Sequence, residues 1–197
     1  MICMGESKMN LPNKLSLIRI ILVPIMVATF YMTFIPFNYL ITGIIFTIAA
    51  FTDFLDGHIA RKYNLVTDLG KFLDPIADKI LVIGAFIIML TQPCIFAGGL
   101  GFIFYQLAGG IGVTIIVARE LIVSVLRMLA AGKGKVLAAE KSGKIKTFAT
   151  DISIVLLLLS AEFSILFIPG IILYIVSVIL TVYSGTYYVV KNREVFK

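Results

Sequence analysis

The stretch that decides the fold runs from Asp53 to Asp78 and reads DFLDGHIARKYNLVTDLGKFLDPIAD. It contains two pairs of aspartates, Asp53 with Asp56 and Asp74 with Asp78, at spacings of three and four residues. Residues at these spacings share one face of an α-helix. The stretch therefore predicts two consecutive helices that each present two carboxylates, with Pro75 in the first turn of the second helix.

The chemistry of these four carboxylates indicates a metal site. Anions that lie close together in an apolar chain repel one another and are poorly solvated. Carboxylate oxygens without histidine or cysteine ligands suit Mg²⁺ or Mn²⁺, and two such ions side by side can clamp a phosphoryl group. Charged helix ends at a membrane surface would explain one pair of aspartates. They do not explain two pairs on consecutive helices, and we predict two divalent cations here.

The composition of the whole chain predicts an all-α, polytopic membrane protein. Its 197 residues are 60% hydrophobic, with a mean hydropathy of +1.05. At roughly 20 apolar residues per transmembrane helix, this length allows about six spans joined by short loops. We expect a tail over residues 1–9 and a single membrane domain over residues 10–197.

The order of apolar and polar segments predicts the elements. Residues 10–19 are expected to form a short amphipathic helix on the membrane surface, with Lys14 and Arg19 among the lipid headgroups. A polar loop is predicted over residues 62–72 and a basic loop over residues 131–146. The predicted spans cover about residues 18–35, 39–61, 73–91, 103–130 and 147–163, and a sixth ends near Val190.

The distribution of positive charge predicts the orientation. With six spans, all 17 lysines and arginines fall on one side, and the turns near residues 36–38, 92–102 and 163–170 contain none. The positive-inside rule then places both termini, the aspartate motif and the basic loop on the cytoplasmic side of the cell membrane. The two cysteines, Cys3 and Cys94, come out on opposite sides and are not expected to pair. The net charge of +6 is explained by this topology, and no basic-aromatic platform indicates nucleic-acid binding.

The aspartate motif resembles the signature of the CDP-alcohol phosphotransferase family. Its form here is Asp53-x2-Asp56-Gly57-x2-Ala60-Arg61-x8-Gly70-x3-Asp74-x3-Asp78, and all eight fixed positions match. The resemblance implies an enzyme that joins a CDP-activated lipid to an alcohol and releases CMP. It implies Asp53, Asp56, Asp74 and Asp78 as metal ligands, with Asp78 also as the catalytic base; spacing alone leaves open whether Asp78 is base, ligand or both. His58 stands at an unspecified position and is expected to be non-catalytic. The CDP-binding residues implied are Asp56, Gly57, Ala60, Arg61 and Gly70.

A second group of residues would select the acceptor alcohol. Singly, each of these cations is explained by membrane topology. Together, so many fixed positive charges at one cytoplasmic mouth predict an acceptor that itself carries a phosphate. The predicted acceptor-phosphate residues are Arg119, Arg127, Lys135, Lys144 and Lys146.

Three further runs resemble one branch of the family, the bacterial phosphatidylglycerolphosphate synthases. They are residues 118–127, residues 142–147 and the opening run over residues 11–19. The opening run supplies three expected interfacial or substrate-contacting residues, Asn13, Ser16 and Arg19, with Ser16 where threonine is more usual. The branch implies CDP-diacylglycerol and glycerol 3-phosphate as substrates. The family's habit, together with a glycine-rich surface over residues 109–112, predicts a homodimer.

Two alternatives accompany this prediction. The same chemistry could serve serine, inositol phosphate or phosphatidylglycerol as the acceptor. A cation transporter could also use buried carboxylates, but transport sites lie near the bilayer midplane, often in repeated architectures. The aspartates here are predicted at the cytoplasmic ends of two spans, and the sequence shows no internal repeat.

Overall fold

The computed structural model describes residues 11–62, 68–133 and 141–193, and within these ranges every regular element is a helix. The all-α prediction is confirmed. Six long helices carry the fold, and short helical segments lie between the third and fourth and before the sixth. In chain order the elements are α1 (Leu11–Tyr31), α2 (Asn38–Lys62), α3 (Asp68–Leu90), α4 (Pro93–Ala97), α5 (Phe102–Tyr105), a π-helix (Gln106–Gly112), α6 (Val113–Gly132), α7 (Lys141–Ser160), a 3-10 turn (Ser164–Leu166) and α8 (Phe167–Lys191).

The membrane class follows from the length and composition of these helices. Among the described residues, three helical segments are long and apolar enough to cross a bilayer: Asn13–Tyr31, Phe102–Ala130 and Ser164–Lys191. The described apolar part of α2, Asn38–Thr52, is shorter, and α3 and α7 carry charged residues in their N-terminal halves. A multi-pass membrane protein is therefore supported, while the count of six spans stays a prediction.

The first helix differs from its prediction. We predicted a surface helix over 10–19 followed by a separate span, but α1 is uninterrupted from Leu11 to Tyr31. Arg19 does not lie among headgroups; it is 0% exposed, and its Nε donates to the carbonyl of Ala49 on α2 at 3.1 Å. Polar residues that pack against neighbouring helices have the same spacing as polar residues that face water. The sequence pattern therefore does not show that Arg19 is buried.

The third helix begins earlier than predicted. It starts at Asp68, so Gly70 lies in the helix. Pro75 therefore lies well past the first turn, although the sequence predicts it within that turn. Proline inside a helix lacks the N–H that would bond the carbonyl four residues before it. The Nζ of Lys79 donates to the carbonyl of Pro75 itself at 3.2 Å.

The core lies between α1, α2, α3 and α7, with α8 packed along α7. Large apolar side chains from all four of these helices are almost fully buried in it, among them Met26, Phe46, Phe86 and Leu157. Many other large apolar side chains are exposed on the outside of the bundle, as expected of surfaces that face lipid. This packing brings the N-terminal half of α1 against the two helices that carry the aspartate motif.

The predicted fourth span contains a π-helix that the sequence did not indicate. The span itself is confirmed as one long helical segment, Phe102–Ala130. Within it, the hydroxyl of Tyr174 on α8 donates to the Ala108 carbonyl at 2.7 Å. A Cβ at Gly112 would lie 2.5 Å from that same hydroxyl oxygen. Gly112 therefore packs directly against Tyr174 of the same chain, where a side chain at position 112 would collide with the tyrosine hydroxyl.

Candidate active site

The two halves of the aspartate motif lie at the same end of the bundle. The first half, residues 53–61, lies in the C-terminal part of α2, and the second half, residues 70–78, lies in the N-terminal half of α3. These two helices are in contact. The side chains of residues 53–62, His58 among them, lie outside the described residues, as do residues 63–67 of the predicted polar loop.

Asp74 is held by a residue from another helix. The Oγ of Ser16, on α1, donates to the Oδ1 of Asp74 at 2.5 Å, and Ser16 is fully buried. The hydroxyl therefore fixes one oxygen of this carboxylate with a neutral donor that adds no charge. A cation that binds Asp74 through one oxygen would use Oδ2, because Oδ1 accepts the hydrogen bond from Ser16.

Two further polar residues of α1 lie on the same buried stripe as Ser16. Asn13 and Arg19 are buried, and Arg19 bonds to the Ala49 carbonyl, one helical turn before Asp53. The hydroxyl of Thr52 donates to the same carbonyl at 2.7 Å. The stripe of α1 thus supports both halves of the motif from within the bundle. Contact of Asn13, Ser16 or Arg19 with substrate stays a prediction.

A small cavity joins Asp78 to the later helices. It lies between α3, α6 and α7, and its polar lining combines Asp78 with Glu120, Lys146 and Asp151. Lys79 of α3 and the hydroxyls of Thr147 and Thr150 of α7 also belong to the polar part of the lining. A carboxylate on α3 and an ammonium on α7 therefore line the same cavity.

Asp151, Thr147 and Thr150 were not among the predicted site residues. The spacing of Thr147, Thr150 and Asp151 is three and four residues, so together they form a polar stripe on one face of α7. A polar stripe inside a predicted span is a signal that could have identified them.

Glu120 joins two of the predicted acceptor cations. Its Oε1 accepts from the Nη1 of Arg119 at 2.9 Å and from the Nζ of Lys146 at 2.6 Å. Lys146 is only 2% exposed and comes from α7, whereas Arg119 and Glu120 belong to α6. A buried ammonium requires such a partner, because an uncompensated charge in the interior is strongly unfavourable. The group formed by Arg119, Glu120 and Lys146 is called the cation cluster below.

The other predicted acceptor cations lie outside the cation cluster. The Nε of Arg127 donates to the Tyr188 hydroxyl at 3.2 Å, and its guanidinium carbon is 5.4 Å from the Tyr188 ring centroid. This side chain is therefore engaged with α8. Lys144 is exposed on α7, and Lys135 lies outside the described residues.

Arg119 also contacts the last helix, which sequence reasoning did not connect with the site. Its Nη2 donates to the Oγ of Ser184 at 3.2 Å, and its side-chain carbons pack against Gly185. Nothing in the spacing of residues 184–185 indicates such a contact.

The donor chemistry of the motif fits a hard divalent cation. Asp74 and Asp78 stand one turn apart on α3. Positions 53 and 56 are both on α2, and α2 contacts α3. All four would offer only carboxylate oxygens, the ligands that Mg²⁺ and Mn²⁺ prefer. Ser16 orients one of them, as outer-shell residues commonly do at metal sites.

Comparison with known proteins identifies the family. A family model described as CDP-alcohol phosphatidyltransferase matches residues 9–183. A relative from Bacillus subtilis (strain 168), named CDP-diacylglycerol–glycerol-3-phosphate 3-phosphatidyltransferase, is 41% identical over 201 residues, covering 95% of this chain and 97% of its own. Relatives of the same name from Rickettsia bellii and Salmonella choleraesuis are 36% and 34% identical, covering 95% and 93% of this chain and 97% and 95% of their own. The chain belongs to the CDP-alcohol phosphatidyltransferase family.

Proposed function

We propose that this enzyme transfers the phosphatidyl group of CDP-diacylglycerol to glycerol 3-phosphate and releases CMP. The observation that carries the choice of acceptor is the buried cation cluster, because Lys146 of this cluster lines the same cavity as Asp78. A phosphorylated alcohol bound there would place its phosphate on the cations and its hydroxyl towards the carboxylate. The relatives named for this reaction support the same acceptor.

Two divalent cations, Mg²⁺ or Mn²⁺, would be held by Asp53, Asp56, Asp74 and Asp78. When bound, they would neutralise the pyrophosphate and polarise the phosphorus that is attacked. The chain's own contribution is to fix the ligands. Ser16 orients Asp74, and the two motif helices bring the carboxylates of α2 and α3 to one end of the bundle.

The nucleotide would bind along α2 and the start of α3. Gly57, Ala60 and Gly70 are small and allow a ligand to approach the backbone closely, and Arg61 offers a planar fork for a phosphate. Small residues also let helices pack closely, and Gly70 is buried in α3. The complete match to the family motif is what favours nucleotide binding. Asp56 would be shared between the metal and the nucleotide.

The reaction itself would use Asp78 as the base. A hydroxyl of glycerol 3-phosphate attacks the phosphorus that carries the diacylglycerol, and the bond from that phosphorus to the oxygen of CMP breaks. The hydroxyl proton passes to Asp78, and CMP leaves with the electron pair. The products are phosphatidylglycerol phosphate and CMP. Arg119 and Lys146 would hold the acceptor's phosphate during the attack, with Arg127, Lys135 and Lys144 at the mouth of the site.

The location and assembly of the enzyme form part of the proposal. We place residues 10–197 as one domain in the cell membrane, with both termini and the site on the cytoplasmic side, as the lysine and arginine distribution favours. A homodimer also remains proposed. The glycine-rich surface over residues 109–112 supports a homodimer only in part, because Gly109 and Gly112 pack against side chains of the same chain. Gly110 is open, since a Cβ there would contact nothing described within 4 Å.

The experiment that tests the acceptor is a parallel comparison. Purified protein in lipid receives CDP-diacylglycerol and Mg²⁺ with glycerol 3-phosphate, serine, inositol phosphate or phosphatidylglycerol, and CMP release is measured. We expect release with glycerol 3-phosphate and none above background with the others. Release with a different alcohol would retain the aspartate chemistry and overturn the acceptor. Equal turnover after complete chelation of divalent cations would overturn the metal site.

A further inference from the structure

The last of the long helices contacts Arg119 through two adjacent residues. Ser184 and Gly185 of α8 are both buried and both contact Arg119 of α6. Residues 184–185 come just after the match to the family model, which ends at residue 183. We propose that Ser184 and Gly185 are positioning residues that hold Arg119 in the orientation needed to bind the acceptor's phosphate. This inference rests on the proposed function.

Gly185 provides the space in which Arg119 lies. A Cβ added at this position would lie 2.8 Å from the Cγ of Arg119, a separation that real Cβ atoms essentially never show. It would also lie 3.8 Å from the Cβ and 3.7 Å from the Nε of Arg119. Because Cγ is the second carbon of the side chain, it cannot move aside without a rotation near the backbone. Any larger residue at 185 would therefore swing the whole guanidinium away from its place.

Ser184 fixes the far end of the same side chain. Its Oγ accepts from the Nη2 of Arg119 at 3.2 Å and contacts the Thr181 carbonyl, as donor, at 3.5 Å. The serine is 2% exposed, so its hydroxyl has little freedom to turn to solvent. With its proton directed at the backbone of α8, its oxygen faces Arg119.

Three helices thus meet at one guanidinium. Glu120 of α6 holds Nη1, Ser184 of α8 holds Nη2, and a Cβ at Gly143 of α7 would lie 3.5 Å from Nη2. This arrangement fixes the plane of the guanidinium, which determines how an arginine engages a phosphate.

Arg119 retains donor capacity for a ligand. Its Nε is buried, and within the described residues it has no hydrogen-bond partner. A buried donor left unpaired is unfavourable, and a catalytic role or a bound water or ion is among the explanations for such an atom in a native protein. Both terminal nitrogens of Arg119 are held in place, and this third donor is unused. Such an arrangement suits the binding of an anion better than a purely structural role.

The test separates positioning from general destabilisation by kinetics. The KM for glycerol 3-phosphate, the KM for CDP-diacylglycerol and kcat are measured for Gly185→Ala, Ser184→Ala and Arg119→Lys. We expect Gly185→Ala to raise the KM for glycerol 3-phosphate about tenfold and Ser184→Ala about threefold, as for one charge-assisted hydrogen bond misplaced or weakened. The KM for CDP-diacylglycerol should stay within about twofold of the parent value in both variants, because that substrate's site lies on α2 and α3.

Gly170→Ala is the matched control on the same helix. A Cβ there would lie 3.2 Å from Leu156 and Leu157, so it perturbs packing of α8 without touching an arginine. The KM for glycerol 3-phosphate should be unchanged in this variant. A rise equal to that of Gly185→Ala would overturn the inference, because it would show a general response to α8 packing.

Combination with an Arg119 variant provides a test that does not depend on the folding of Gly185→Ala. If Ser184 acts through Arg119, Ser184→Ala should add no further rise in KM to Arg119→Lys. If Arg119→Lys raises the KM but the two α8 variants do not, the inference fails and the proposed function stands. If Arg119→Lys itself leaves the KM for glycerol 3-phosphate unchanged, the proposed acceptor site fails as well.

Discussion

At the scale of single residues, the hydrogen bond from Ser16 to Asp74 connects two distant parts of the sequence. We expect Ser16→Ala to weaken the apparent affinity for Mg²⁺ or Mn²⁺ about tenfold, as loss of an outer-shell partner does at other metal sites. Ser16→Thr retains the hydroxyl and should stay close to the parent. The measurement is a metal titration read both as CMP release and as the metal-dependent rise in melting temperature. Equal midpoints for the alanine and threonine variants would contradict the role given to Ser16.

Glu120 is the residue on which the cation cluster depends. Glu120→Ala would leave the buried ammonium of Lys146 without the carboxylate that it contacts at 2.6 Å. Because breaking a buried ion pair exposes the remaining charge to an apolar interior, we expect a loss of about 3 kcal/mol in the free energy of unfolding. Glu120→Gln keeps an oxygen acceptor and should lose less.

The control for Glu120 is Glu162→Gln, which removes a carboxylate from the turn after α7, at the opposite end of that helix from Lys146. Unfolding of the purified variants in the same detergent, followed by circular dichroism, provides the comparison. A Glu120→Ala protein as stable as the Glu162→Gln protein would show that the cluster contributes nothing to stability.

At the scale of elements, the π-helix before α6 provides a paired prediction. Gly112→Ala places a methyl group 2.5 Å from the Tyr174 hydroxyl, whereas Gly110→Ala meets nothing described within 4 Å. Since overpacking a tight contact typically destabilises by about 1–3 kcal/mol, we expect Gly112→Ala to unfold more easily by that amount. Gly110→Ala should be neutral or slightly stabilising, because alanine favours a helix over glycine. Equal effects of the two substitutions on thermal unfolding would contradict the fit between Gly112 and Tyr174.

The same elements show what the sequence could and could not predict. The spacing within residues 53–78 was enough to predict two helices with paired carboxylates, since helical periodicity is a local property. The partner of each helical face was not predictable, because periodicity shows which residues share a face but does not show which helix that face meets. Arg19 was therefore placed at the membrane surface although it is buried against α2.

The partners within the candidate site were not predictable for the same reason. Glu120 and Lys146 stand far apart in the sequence, and only the folded arrangement of α3, α6 and α7 brings them together with Asp78 around one cavity. The contribution of α8 had no local signal at all, because a serine and a glycine in an apolar helix are ordinary. The family resemblance supplied the residue types of the site, and the structure supplied the partners that orient them.

At the scale of the whole molecule, the predicted orientation can be tested with a cysteine. Cys94 is exposed in α4, in a connection predicted to lie on the side opposite the site. A Cys3→Ser variant keeps Cys94 as its one thiol, since the chain has two cysteines. In sealed right-side-out vesicles, we expect a membrane-impermeant maleimide to label it without lysis. Labelling only after the vesicles are opened would reverse the orientation and place the aspartate motif outside.

The central claim is that one site joins the lipid-bearing phosphate of CDP-diacylglycerol to glycerol 3-phosphate. Purified protein in lipid, supplied with Mg²⁺, CDP-diacylglycerol and isotopically labelled glycerol 3-phosphate, tests this claim most directly. The measured quantities are the CMP released and the label that enters the lipid fraction. We predict equal molar amounts of the two, both abolished by Asp78→Asn. CMP release without incorporation of label, or incorporation that persists in Asp78→Asn at the parent rate, would contradict the account.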